Sequence, residues 1–297
     1  MIAPFANLFG YILNFIYNIV NNYGLAIIIF SILIKIILLP LSIKQQKTMK
    51  KTTKIQNKLK EIQFKYKNDP ENLNRATMEL YKTENMSPFS GCFSGIVQII
   101  LLFAVFYLVR SPLTYMKKID ANIINKYTKI VKENDLSTDS AYPEIEVIRE
   151  LNNIKKLKEN NSENNEEKTD LAEINDEELN SLDINMNFLG LNLAQIPTRS
   201  GDWKAFIIPV LYVLVSVISL RITNPTPKKK DGEEKNSEDE FDPMAQMNKN
   251  MNLMFPVMYL AVALIAPLGL ALYWLMNSLL MIIERLALNK MLKDEEE

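Results

Sequence analysis

The chain contains no histidine and a single cysteine, Cys92. Those absences exclude imidazole acid–base chemistry, His/Cys metal sites, intrachain disulfides and CxxC redox chemistry. A dominant sign of charge is also missing. Basic residues number 34 against 35 acidic, a net charge of −1 that argues against general nucleic-acid binding. No basic residue precedes Lys35, so the charged n-region of a cleaved signal peptide is lacking and no such signal is expected.

What the chain does have is segregation. A mean hydropathy of −0.04 averages two populations, apolar stretches nearly free of charge and connections crowded with Lys, Glu and Asp. A helix needs about 20 mostly apolar residues to cross the bilayer core. Candidate spans are residues 24–42, 88–110 and 203–222. A final apolar run, Met251 to Ile283, is too long for one span and carries Pro267 and Gly269 in the turn-forming APLG. It is expected to split into short fourth and fifth spans, 251–266 and 267–285, joined by a tight hairpin. Short spans of this kind favour local thinning of the bilayer.

Nine lysines lie between Lys44 and Lys67 against Glu61 alone, which places 43–87 in the cytoplasm and the N-terminus outside. Five spans then put the tail, 286–297, inside, in agreement with Lys290 and Lys293. The 111–202 loop, with 18 acidic and 11 basic residues, falls outside. Within it, 158–183 is acidic and Asn-rich and is expected to be poorly ordered. Residues 223–250 read as a solvated cytoplasmic linker. Residues 1–23 are apolar and aromatic with interspersed asparagines, which suits a helix lying in the outer interface. In 43–87, Ile55, Leu59, Ile62 and Tyr66 fall at helical spacing. Asn68-Asp69-Pro70 breaks the chain, and Leu73, Ala76, Leu80 and Tyr81 resume the pattern, as in a cytoplasmic helical hairpin.

The residue that stands out is Lys35. It lies nine residues before Lys44 and eleven after Gly24, about 13–16 Å from either end of its span. A charge there costs at least about 2.5–3.5 kcal/mol. A carboxylate on another span would offset this, but the spans offer almost none, with Glu284 at the end of the last. A hydrated cavity is therefore the expected environment. Polar stripes support one. Ser87, Gly91, Ser94 and Gln98 share a face of the second span, and Tyr212, Ser216, Ser219 and Thr223 share one of the third. Asn277 and Ser278 lie midway along the fifth. Any single stripe is equally at home in helix–helix packing. Together they point to a polar groove of Lys35, Ser31, Ser94, Gln98, Tyr212, Ser216, Ser219, Asn277 and Ser278, with no catalytic residue and no metal ligand among them.

Five motifs in order resemble the YidC-type membrane protein insertases of the Oxa/Alb superfamily. They are LIKIILLPLSIKQ in the first span, IQNKLKEIQFKYKNDPENLNRATMELYK in the hairpin, NMSPFSGCFSGIVQ entering the second span, FLGLNLA before the third, and APLGLALYW in the fifth. The resemblance implies an all-α integral membrane fold, five transmembrane helices around a hydrophilic groove, with the cytoplasmic hairpin and the interfacial N-terminal helix. It implies an insertase and chaperone working without nucleotide hydrolysis or cofactor. Its partners would be nascent membrane proteins and lipids, with the Sec translocon and the ribosome as further candidates and no direct nucleic-acid contact. The family's basic groove residue falls on Lys35, where arginine is usual. Lysine keeps the charge without the bidentate fork and loses its proton readily if desolvated, so the groove should be wet. The tail ends in DEEE, which argues against ribosome docking through it. A small-solute transporter or channel is the alternative from another class, disfavoured by the lack of an inverted repeat and of paired intramembrane charges. A passive assembly scaffold is the third.

Overall fold

The computed structural model describes residues 3–67, 69–84, 90–137, 141–164, 171, 174–223, 258 and 260–294, the side chains of 90–99 and of a few other helical positions excepted. The expected linker from 224 to 250 and half of the fourth span, 251–257 and 259, lie outside that set. The described residues are almost entirely helical. They comprise α1 (Ala3–Val20), α2 (Tyr23–Lys65), α3 (Pro70–Thr83), α4 (Ser90–Arg110), α5 (Pro112–Tyr115) and α6 (Ala121–Glu133). Then come α7 (Pro143–Asn164), α8 (Asp176–Leu182), α9 (Ile207–Thr223) and α10 (Leu268–Asp294), with a further helical stretch at 260–265. A two-residue antiparallel hairpin pairs β1 (Asn187–Phe188) with β2 (Leu191–Asn192). Three helical segments are long and apolar enough to cross a membrane: Ala3–Val20, Tyr23–Thr48 and Leu268–Met291. The apolar stretches Ile100–Arg110 and Trp203–Ser219 are shorter.

The first span and the first arm of the expected hairpin are one element. Helix α2 runs unbroken for 43 residues, about 64 Å, and passes through Pro40. It stops at Tyr66. Asp69 then caps α3, its carboxylate accepting from the Asn72 backbone N–H at 3.1 Å, with Pro70 at the first helical position. Lys58 of α2 pairs with Glu84 just past α3. The seam between these arms is thin, for α3 buries no residue.

Helix α1 was expected to lie flat in an interface. It buries Ala6, Phe9, Gly10, Leu13, Ile16 and Tyr17 against α2, α4 and α5. Gly10 is required there, because a Cβ would sit 1.8 Å from the Tyr115 carbonyl oxygen. The opposite face is apolar too, with Phe5, Leu8, Tyr11, Phe15 and Ile19 exposed. Such a helix is walled by protein on one side and suits lipid on the other. The asparagines at its end staple the turn into α2. Asn21 adopts a left-handed φ of 47°, and Asn22 caps α2 by accepting from the Leu25 N–H. Asn22 also donates to the Asn187 carbonyl at 2.7 Å, while Asn185 donates to that of Asn21 at 2.9 Å.

Residues 111–202, read as a partly disordered acidic loop, contain helices α5 to α8 among the described residues. They form a helical cap in which Tyr127 and Ile130 of α6, Ile145 and Ile154 of α7 and Leu179 and Leu182 of α8 are buried in one core with residues of α1, α2 and α4. Within 158–183, α7 continues to Asn164 and α8 occupies Asp176–Leu182; residues 165–170, 172 and 173 lie outside the described set. Alternating charge masks an amphipathic pattern at Ile145, Ile148, Leu151 and Ile154, and that pattern sets the fold. The buried Glu144 carboxylate fastens α7 to α5, the short helix that follows α4. It accepts from the backbone N–H of Leu113 (2.8 Å) and Thr114 (3.0 Å) and from the Thr114 hydroxyl (2.6 Å).

Helix α10 is the hub. It packs along α9 and α2 and touches α4. The APLG turn falls where expected, between 260–265 and Leu268. Its first N–H groups, orphaned at a helix start, donate to the cap: Leu268 to the Gln195 carbonyl and Gly269 to that of Leu193, each at 2.9 Å.

Candidate functional site

From their cap-side ends α2 and α10 run in the same direction. Tyr23 packs on Gly269, where an added Cβ would stand 3.4 Å from its ring. Further along, Gln46 donates to Asn289 at 2.8 Å. Between these contacts lies Lys35, about 18 Å along α2 from Tyr23.

Lys35 does not stand alone. Its Nζ donates to Glu284 Oε2 at 2.9 Å, with the lysine side chain 22% and the glutamate 13% exposed. The expectation of a lysine without a carboxylate on another span is thus overturned. The reason lies in α10, which continues to Asp294, so Glu284 is an interior residue of the helix and not its terminus. The two helices then cross so that the pair meets.

The lysine lines a narrow, partly open cleft with room for a few water molecules. The polar wall is Ser31, Lys35, Ser42 and Gln45 of α2 with Tyr273 and Asn277 of α10. Phe9, Ile34, Leu38, Leu41, Leu101 and Val105 are among its apolar lining. The α2 residues keep a single helix face from 31 to 45, about 21 Å of helix. Mixed walls of this kind suit an amphipathic chain segment.

Of the residues expected to share a groove, Ser31, Lys35 and Asn277 are brought together here. Ser31 is buried and its hydroxyl donates to the Ile27 carbonyl of its own helix at 2.7 Å. Tyr212, Ser216 and Ser219 are not part of the cleft. They are buried on the face of α9 that packs along α10, where Tyr212 stacks obliquely on Trp274 at 5.9 Å. Ser278 is likewise buried outside the cleft lining. The packing role of a small-residue stripe accounts for these four. The side chains of Ser94 and Gln98, and of Cys92, lie outside the described set.

Ser42, Gln45, Tyr273 and Glu284 were missed. The signal was present, since Ser42 and Gln45 fall seven and ten residues after Lys35, and Glu284 seven after Asn277. Extending each polar face past the end of its apolar run finds them.

Comparison with known proteins is consistent with this architecture. The family described as 60Kd inner membrane protein matches residues 15–296. A membrane protein insertase YidC from Fusobacterium nucleatum subsp. nucleatum is 48% identical over 102 residues, covering 34% of this chain and 50% of that protein. One from Caldanaerobacter subterraneus subsp. tengcongensis is 41% identical over 109 residues, 37% of this chain and 53% of the relative. A third, from Chlorobaculum parvum, is 46% identical over 102 residues, 34% of this chain but 17% of the relative. The aligned part thus spans about half of the first two relatives and less of the third. With a family match that runs through nearly its whole length and apolar helices of membrane-spanning size, the chain belongs to the 60Kd inner membrane protein family.

Proposed function

We propose that this protein is a membrane protein insertase and chaperone of the bacterial plasma membrane. It moves short hydrophilic tails across the bilayer and releases transmembrane segments into lipid. The observation that carries the reading is the cleft, a cation at bilayer depth on a wall mixing hydroxyl, amide and aliphatic groups. A polar tail entering such a cleft keeps water and a positive charge beside it, while the apolar segment behind it slides between α2 and lipid. The catalysis is of partitioning, with no bond made or broken. Lys35, Ser31 and Asn277 are the groove residues favoured here, joined by Ser94 and Gln98 from α4. Tyr212, Ser216, Ser219 and Ser278 hold α9 to α10.

Five spans in this reading are α2, α4, α9, the stretch ending at 265, and α10. The N-terminus and the cap lie outside, while the lysine-rich arms of α2 and α3 lie in the cytoplasm, where they receive nascent membrane proteins. The Sec translocon and the ribosome are proposed as partners on that side. Reconstitution into liposomes tests the function. Insertion of a short single-span protein supports it, solute flux without insertion supports a transporter, and neither supports a scaffold. Lys35→Ala is expected to abolish insertion of substrates with acidic tails, scored per amount of folded protein.

A further inference from the structure

We propose that Glu284 is a built-in counter-ion which an acidic substrate segment must displace, so that Lys35 offers its charge only by exchange. The inference rests on the insertase reading.

Three observations carry it. Lys35 lines the cleft, whereas Glu284, which pairs with it at 2.9 Å, is not among the lining residues. The lysine therefore stands between cleft and carboxylate. An ammonium has three N–H donors, and among the described residues Glu284 is the acceptor found for Lys35. Donors are left over to take a second carboxylate before the first departs. Glu284 itself is held by one oxygen. Its Oε2 accepts from Lys35, while Oε1 is buried with no hydrogen-bond partner among the described residues. A carboxylate with half its accepting capacity unmet is a poor partner, and one that gains on moving toward water.

These features make a selective site. In the resting protein the charges of Lys35 and Glu284 cancel, so the cleft exerts little long-range attraction on passing polypeptide. Stripping the lysine of its carboxylate would be costly, because an uncompensated charge would remain in a partly buried site. A tail carrying Asp or Glu avoids that cost by associative exchange, the ammonium never losing a carboxylate partner. A neutral tail cannot perform the exchange and gains nothing from Lys35. Glu284 thereby occupies the position that substrate carboxylates compete for.

The test uses the full chain in nanodiscs and a labelled single-span substrate with two acidic residues in its short tail, or with glutamines there. Glu284→Gln should tighten binding of the acidic tail about three- to tenfold, the range expected when one hydrogen bond of typical net strength no longer competes. Binding of the glutamine tail should not change. A measurement on the unaltered protein accompanies it. Carbodiimide coupling should form a zero-length amide between Lys35 and Glu284, detected by mass spectrometry. Saturating acidic substrate should suppress this cross-link, and glutamine substrate should not. Equal affinities in Glu284→Gln and the parent, or a cross-link that is absent at rest or indifferent to acidic substrate, overturns the exchange while the insertase reading stands. If Lys35→Ala retains the preference for acidic tails, the groove reading itself fails, and the exchange with it.

Discussion

Within an apolar helix a lysine is tolerated when something answers its charge, and here a glutamate 249 positions along the chain does so. The two groups are stabilised together and destabilised apart. Replacing Lys35 by Met removes a charge from the cleft but leaves Glu284 partly buried and uncompensated. The double variant Lys35→Met/Glu284→Gln removes both. The double should therefore be less destabilised than the sum of the singles, by a coupling of about 1–3 kcal/mol, reduced toward the lower value by the residual exposure of the pair. Thermal unfolding in detergent measures it. Additive effects would mean that the two side chains do not interact. The lysine was conspicuous from sequence because its position in an apolar run is local information. Its partner was not, since Glu284 reads as the end of a span until α10 is seen to continue.

At the scale of elements, two ion-linked joints are informative. Lys58 holds Glu84 by a hydrogen bond and by its charge, which draws the glutamate below its ordinary value of 4.5. A depressed carboxylate stabilises above the unfolded value and loses that contribution as pH falls through the lowered one. The arms α2 and α3 should therefore loosen as the medium is taken below pH 4.5, seen as a broader distance distribution between spin labels on the two helices. Glu84→Gln should remove that response to acid. The second joint is Glu144, whose burial raises its pKa against the pull of its hydrogen bonds to Thr114 and Leu113. Glu144→Ala leaves two backbone donors at the start of α5 unsatisfied and should cost about 1–3 kcal/mol. Faster hydrogen exchange at Leu113 and Thr114, with the α9–α10 seam unchanged, is the expected signature.

The described residues form two parts, a set of apolar helices of which α2, α4 and α9 pack on α10, and a cap that ties their ends together. The cap reaches α1 and α2 through Asn185 and Asn187, α4 through the Ala141 carbonyl that accepts from Arg110, and α10 through the carbonyls of Leu193 and Gln195. It thereby positions α2 and α10, the helices that carry Lys35 and Glu284. The proposed topology is tested in a Cys92→Ser background with new cysteines at Lys118 or Phe64. Impermeant maleimide added to intact cells should label the first and miss the second, and inverted vesicles should reverse the result. Labelling of both sites from one side would refute the topology.

From sequence alone came the membrane class, the segregated charge, the break at Asn68-Asp69-Pro70, the turn at APLG and the ordered motifs of the family. All of these rest on short-range energies, the hydropathy of a run or the backbone preference of a turn. The helix is continuous where the first span meets the hairpin, because propagation depends on backbone hydrogen bonds that run past Lys44 without interruption. The helical core within the acidic loop was not read, because interspersed charges mask the apolar residues that fold it. Only the tertiary structure decided which polar stripe faces a cleft and which faces a neighbour. It also decided that Lys35 meets a carboxylate. The reason is geometric: two helices joined through hundreds of intervening residues meet at a register set by their crossing and by the cap that aligns their ends, and no local pattern encodes that register.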